Sequence, residues 1–196
     1  MQRKVGDNSQ DNLAVYSDGG MSCFACGYTR ATEEYKLSKG YIKEKYEVVQ
    51  LAGEFNLESW SKLRETSTTK TKGFRGFTEE TCVKFGVRQS FDEVTGQVDK
   101  QFYPITKNNE LCGVKFRVVA DKKFFNKGSA GSDCDLFGQT AFNVTGSKSV
   151  VLASGECDAM AIYQMISTYT KTKGWEDTPV VSSITGEGGY RQYQNQ

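Results

Sequence analysis

Histidine is absent from this chain of 196 residues. Its absence removes serine–histidine and cysteine–histidine catalysis, every zinc site with an imidazole ligand, and any imidazole acid–base step. Any chemistry must fall to carboxylates, lysines, cysteines and bound metal. No apolar run is long enough for a membrane span, and the polar start, Met1 to Asp11, lacks the hydrophobic segment of a signal peptide. The expectation is a soluble, cytoplasmic protein with no membrane partner. Neither sign of charge dominates: 25 basic and 24 acidic residues leave a net charge of +1, so only a local patch can argue for nucleic acid. A P-loop, G-x-x-x-x-G-K-[ST], is also missing, which excludes that kind of nucleotide-driven motor.

What is present suffices for a packed core. Hydrophobic residues make up 37% and aromatics 12%, so general disorder is excluded, and the length suits one medium domain with a small module or two small domains. Of six cysteines only Cys23 and Cys26 are closely spaced. In a chain without secretory features most of them read as reduced, small buried hydrophobes.

Along the chain, Leu13–Tyr16 reads as a strand, Ser17-Asp18-Gly19-Gly20 as a turn and Met21–Phe24 as a second strand. A hairpin running into Cys23-Phe24-Ala25-Cys26-Gly27 is how half of a zinc ribbon is written. Residues 46–51 fit either a strand or a helical turn. The Lys-, Thr- and Ser-rich stretch from Ser61 to Gly73 reads as a linker holding the module boundary. Thr78-Glu79-Glu80 then opens a short helix with Cys82, Val83 and Phe85 on its apolar face, and Gly86 stops it. Segments 87–91, 101–106 and 110–119 read as strands, with Lys107-Asn108-Asn109 as a hairpin turn. In the last of them Val114, Phe116 and Val118 share one side. Lys115 and Arg117 share the other, and that basic face is expected to continue into Lys122 and Lys123. Finally 149–153 reads as a buried strand and Asp158 onward as a helix with the stripe Ile162, Met165, Ile166 and Tyr169. Residues 179–184 form a second buried strand, and together these predict a right-handed βαβ unit ending in the loop Gly186-Glu187-Gly188-Gly189.

Three groups could carry chemistry. Glu156 and Asp158 sit at the carboxyl edge of a buried strand, where ligands bind in open α/β sheets and where two carboxylates suit Mg²⁺; spacing alone favours a helix cap at Asp158 and a solvated glutamate. Lys115, Arg117, Lys122 and Lys123 could hold triphosphates or a template backbone, or form a solvated strand face. Cys23 and Cys26 supply two of the four ligands a structural zinc needs. A redox pair or two inert thiols are the alternatives, and Gly27 after Phe24-Ala25 fits a ribbon knuckle better than a redox helix.

Taken in order, several short segments resemble the primase half of the primase–helicases of T-odd bacteriophages, a family that includes the mitochondrial helicase Twinkle. They are Ser17-Asp18-Gly19 with Cys23-Phe24-Ala25-Cys26, Arg75-Gly76-Phe77-Thr78-Glu79-Glu80-Thr81-Cys82, Lys115-Phe116-Arg117 and Asp121-Lys122-Lys123-Phe124, followed by Asp135-Leu136-Phe137-Gly138, Gly155-Glu156-Cys157-Asp158-Ala159 and Pro179-Val180-Val181-Ser182. The resemblance implies a DNA primase, an RNA-primer polymerase acting on single-stranded DNA with ribonucleoside triphosphates, partnered by a helicase domain or other replisome proteins. It implies nucleotide contacts at Lys115 and Lys122, Mg²⁺ or Mn²⁺ at Glu156 and Asp158, and Zn²⁺ in the ribbon. Phage encoding would place it in the host cell cytoplasm.

The sequence departs from that pattern where Gln2 and Val5 stand in place of a first cysteine pair and Ser154 in place of a leading acidic residue. A further Asp-x-Asp motif would lie beyond Gln196. The fold class expected is therefore mixed, α+β with α/β. A partial zinc-ribbon module covers 1–30, a linker 31–72, the first part of a polymerase domain 73–148 and an incomplete Toprim-like βαβ unit 149–196. An incomplete form of a primase is expected; the alternative is an inert primase-derived module that binds single-stranded DNA or nucleotide.

Overall fold

The structure, a computed structural model, describes residues 13–17, 19–23, 28–32, 36, 48–142 and 149–185. The chain divides into two compact units, Met1–Lys45 and Tyr46–Gln196.

In the first unit, β1 (Leu13–Val15), β2 (Met21–Cys23) and β3 (Thr29–Arg30) form an antiparallel sheet in that order. Leu13 pairs with Cys23 and Val15 with Met21, as the expected hairpin requires. Gly19, at φ 80°, supplies the left-handed residue of the turn, and the amide of Tyr16 donates to the carbonyl of Gly20 at 2.9 Å.

The second unit is built on a five-stranded sheet of order β4-β8-β7-β6-β5: Val48–Leu51, Lys123–Gly128, Glu110–Val118, Val98–Lys107 and Arg88–Phe91. Only β4 and β8 run parallel. Within the stretch 46–51, Val48–Leu51 thus resolves as a strand at one sheet edge. The β6–β7 turn takes the left-handed pair Asn108 (φ 53°) and Asn109 (φ 65°), residues suited to a tight hairpin. Two further strands, β9 (Val151–Ala153) and β10 (Val180–Ser182), pair in parallel across helix α3 (Glu156–Lys173), which bears out the βαβ reading.

Three expectations need correction. Helix α1 (Leu57–Glu65) lies within the stretch read as linker. The side chain of Asn56 accepts from the amide of Ser59 at 3.0 Å and Glu58 pairs with Lys62 at 2.8 Å, local signals that the serine- and threonine-rich composition hid. The division between units correspondingly falls between Lys45 and Tyr46, not within 61–73, and residues 73–148 share one unit with 149–196. Third, the buried side of α3 carries Glu156, Ala159, Met160, Tyr163, Ser167 and Thr170, whereas Met165 and Tyr169 are exposed. Tyr163 draws the helix inward, packing against Phe85 (5.4 Å) and Phe142 (5.5 Å) and donating to Asp177 at 2.9 Å.

Helix α2 (Glu79–Phe85) forms where Thr78 predicts it. The Thr78 hydroxyl accepts from the amide of Thr81 at 3.2 Å, and Gly86 (φ 67°) ends the helix. Cys82 and Phe85 are buried, but Val83, expected on the apolar face, is exposed. Phe85 stacks on Phe137 at 5.2 Å, and Phe137 meets Tyr103 at 5.8 Å. One core therefore joins the inner face of the five-stranded sheet, α2 and the βαβ unit.

Candidate functional site

Lys115 leaves β7 on the face turned toward α3 and is almost fully buried, 5% exposed. Its Nζ lies 2.7 Å from Glu156 Oε1 and donates to the carbonyl of Ile184 at 2.9 Å. Glu156 occupies the first turn of α3, directly after β9; Ile184 follows β10. One ammonium thus ties the sheet to both strand ends of the crossover. A buried charge of either sign is costly alone, and each here compensates the other.

The surroundings of the pair are polar as well. The register sets Gln89, Gln101, Arg117 and Phe124 in one row across the sheet and Tyr103, Lys115 and Asn126 in the next, all on the inner face. The Tyr103 hydroxyl donates to Gln101 Oε1 at 2.5 Å and lies 3.2 Å from Cys157 Sγ. The ring of Phe124 lies 5.2 Å from Lys115 Nζ and 5.6 Å from the Arg117 guanidinium carbon. Arg117 Nε and Asn126 Oδ1 are buried without a hydrogen-bond partner among the described residues. Burial pushes the Tyr103 phenol well above its ordinary range and raises the Cys157 thiol, which Tyr103 and Arg75 partly counteract.

The structure brings Lys115, Arg117 and Glu156 together and separates the other expected residues. Asp158 is exposed, because positions two apart in a helix do not share a face. Lys122 is exposed in the β7–β8 turn at φ 56°. Lys123 registers opposite Val118, so it projects from the other side of the sheet; the expected continuous basic face breaks at that turn, which shifts the side-chain alternation. Cys23 is buried at the end of β2, while Cys26 and the loop 186–189 lie outside the described residues.

Among the described residues no three His, Cys, Asp or Glu side chains gather as a metal site. Glu156 is buried and engaged by Lys115 while Asp158 is exposed, so these two carboxylates do not by themselves fit Mg²⁺ or Mn²⁺. Two thiols are likewise half of a structural zinc set.

The sequence reading missed Arg75, which holds a left-handed backbone (φ 54°) and reaches the Cys157 thiol beside Glu156. The available signal was Gly76 after it, marking a tight turn. Gln164 of α3 secures that turn through the Gly76 carbonyl at 2.9 Å.

A mixed five-stranded sheet with a buried lysine, and a βαβ crossover bearing its carboxylate partner, define a mixed α/β protein of several sheets. In sequence and fold the chain is similar to the primase portion of phage primase–helicases. The "DNA helicase/primase" of Enterobacteria phage T3 is 26% identical over 161 residues, covering 80% of this chain and 26% of that protein. The crystal structure of the primase fragment of the bacteriophage T7 primase-helicase protein aligns with a TM-score of 0.52 and 26% identity, over 94% of this chain and 66% of that one. This chain therefore spans about a quarter of the T3 protein's length. No family model matches.

Proposed function

We propose that this chain is the priming part of a DNA replication protein, holding single-stranded DNA template and ribonucleoside triphosphates for RNA primer synthesis. The observation that carries the reading is the buried Lys115–Glu156 pair at the strand–helix crossover. Fixed ammonium and guanidinium groups at such an edge favour phosphoryl oxygens, and phosphoryl transfer depends chiefly on positioning and charge stabilisation. Arg117, with its unpartnered Nε beside Lys115 and Phe124, is the phosphate-binding group of this reading. Lys122, exposed nearby in sequence, meets the nucleotide from solvent.

In the same reading β9–α3–β10 is a Toprim-type unit, and the hairpin of the first unit is a partial zinc ribbon with Cys23 and Cys26 as its half-site. A helicase domain is the expected partner, by analogy with the T3 and T7 proteins. Zinc content tests the ribbon: substoichiometric zinc fits a half-site, and equimolar, tightly held zinc would require further ligands.

One observation favours a second reading, a binding module without catalysis. Ser154, exposed before the crossover, stands where the resemblance expects a carboxylate, and Glu156 is neutralised by Lys115. Incubating the chain with single-stranded DNA, ribonucleoside triphosphates and Mg²⁺ decides between them. Template-dependent oligoribonucleotides that disappear with Glu156→Gln support the primase. Nucleotide and DNA binding without products supports the inert module, and absence of both binding and synthesis ends the nucleic-acid reading.

A further inference from the structure

Two cysteines that the candidate site does not use meet beside the β6–β7 hairpin. Register pairs Ile105 with Gly113 and Thr106 with Leu111, so Cys112 is the extra residue of a bulge on β7. A bulge re-aims the side chain it displaces. Here the half-buried Cys112 turns its thiol toward the Ile105 carbonyl at 3.6 Å and shares a hydrogen bond with the thiol of Cys134, which is fully buried in the core. The chain around Cys134 is pinned on both flanks. Asp133 pairs with Lys107, the amide of Asp135 donates to the Thr106 carbonyl at 2.8 Å, and the Asp135 carboxylate accepts from the amides of Asn108 and Asn109 at 3.0 and 2.8 Å. The amide of Ser129 donates to the carbonyl of Cys112 itself at 3.0 Å. Cys82 and Cys157 are neighbours as well, yet their sulfurs are engaged by Gln89 and Tyr103 instead.

We propose that Cys112 and Cys134 are a site of reversible oxidation, forming a disulfide that latches the segment 129–135 onto the β6–β7 hairpin. A bridge forms without backbone movement only where the two thiols already face each other. The pinned flanks hold Cys134 in place, and the bulge delivers Cys112 to it. The oxidant is hydrogen peroxide. Cys112, the more accessible thiol, attacks one peroxide oxygen as its thiolate; the O–O bond breaks, the sulfur becomes a sulfenic acid, and the departing hydroxide takes up the thiol proton as water. The sulfur of Cys134 then attacks the sulfenic sulfur, the S–S bond forms, the S–O bond breaks and a second water leaves with the Cys134 proton. Two thiols are thus oxidised by two electrons while one peroxide is reduced. Burial and the neighbouring Cys134 push the Cys112 thiol up to about 12, so thiolate is scarce near neutrality and the first step is slow. Two thiols that merely fill the core would stay reduced under the same treatment. The inference stands apart from the priming reading, since it uses neither Lys115 nor Glu156.

The test treats the reduced full chain with hydrogen peroxide at mildly alkaline pH, caps the remaining thiols with iodoacetamide in denaturant, and digests with trypsin. The expected product joins peptide 108–115, which holds Cys112, to peptide 128–148, which holds Cys134, and dithiothreitol separates them again. The cross-linked chain is expected to melt about 5 °C or more above the reduced one, because the closed loop restricts the unfolded chain. Cys112→Ser, a change at a half-buried position, should abolish both the linked peptide and the rise in melting temperature. Cys82→Ala should leave the link intact. Cys112 recovered alkylated or as a sulfinic acid with Cys134 still a thiol would overturn the inference. So would a link between Cys82 and Cys157 in its place, or a cross-linked chain that melts no higher than the reduced one.

Discussion

The two faces of the five-stranded sheet use the same strands for opposite purposes. Along β6, Gln101, Tyr103 and Ile105 are buried on the inner face, while Phe102, Pro104 and Thr106 are half-buried on the outer. The inner face thus encloses glutamines, a tyrosine, a lysine and a glutamate under α2 and α3, and the outer face leaves phenylalanines partly open. Hydrophobicity alone would order them the other way. The charged and phenolic groups inside have partners, as Lys115 has Glu156 and Ile184, and as Tyr103 has Gln101 and Cys157. Energetic stakes should therefore concentrate on the buried polar pairs of the inner face.

The largest expected effect is at the pair itself. Both side chains are under a tenth exposed, so Lys115→Ala leaves a buried carboxylate uncompensated and should destabilise the fold by about 3–5 kcal/mol. Lys115→Met with Glu156→Leu should recover much of that loss, because the double variant leaves no orphaned charge. Urea denaturation of the four proteins in the cycle measures the coupling. Additive losses would mean that the two charges do not depend on each other, and the contrast between faces would lose its main support.

Next in size is Tyr103→Phe. It removes a buried hydroxyl and leaves Gln101 Oε1 only the long contact from Cys157 Sγ at 3.9 Å, while the amide nitrogen of Gln101 already lacks a partner among the described residues. A loss of about 1–3 kcal/mol is expected, read by the same denaturation.

Alkali should then find the inner side. Burial raises the Cys82 thiol from 9.0 to about 11. Between those values the unfolded chain has shed a proton that the folded chain still holds, so stability is fully present below pH 9 and falls as pH rises through the window. The slope is about 1.4 kcal/mol per pH unit for one thiol. Cys112, raised to about 12 by burial and by neighbouring Cys134, extends the fall upward. Cys82→Ala should flatten the curve between pH 9 and 11; an unchanged slope would place the alkaline sensitivity elsewhere.

Much of this fold was legible in short-range patterns. Thr78 and Gly86 bounded α2, the Asn108-Asn109 pair marked a hairpin, and buried strands on either side of a helix gave the βαβ unit. Those signals act within a few residues. The side of α3 that faces inward was not legible, because Tyr163 and Thr170 are chosen by aromatic and polar neighbours from distant segments. Nor was the partner of Lys115: alternation placed it with Arg117, but only tertiary structure sets Glu156, 41 residues away, against it. Lys123 shows a third limit, since one irregular residue in a turn moves every later side chain to the other face.

The smallest expected effect completes the contrast. Lys123 is exposed, Lys127 is half-exposed, and neither forms an ion pair among the described residues. Surface substitutions away from buried features stay within about 0.5 kcal/mol. Lys123→Ala and Lys127→Ala should therefore leave the melting temperature nearly unchanged, as thermal denaturation of each variant measures. If both alanine variants melt well below the parent, the outer lysines hold the sheet together and the division of labour between the two faces fails.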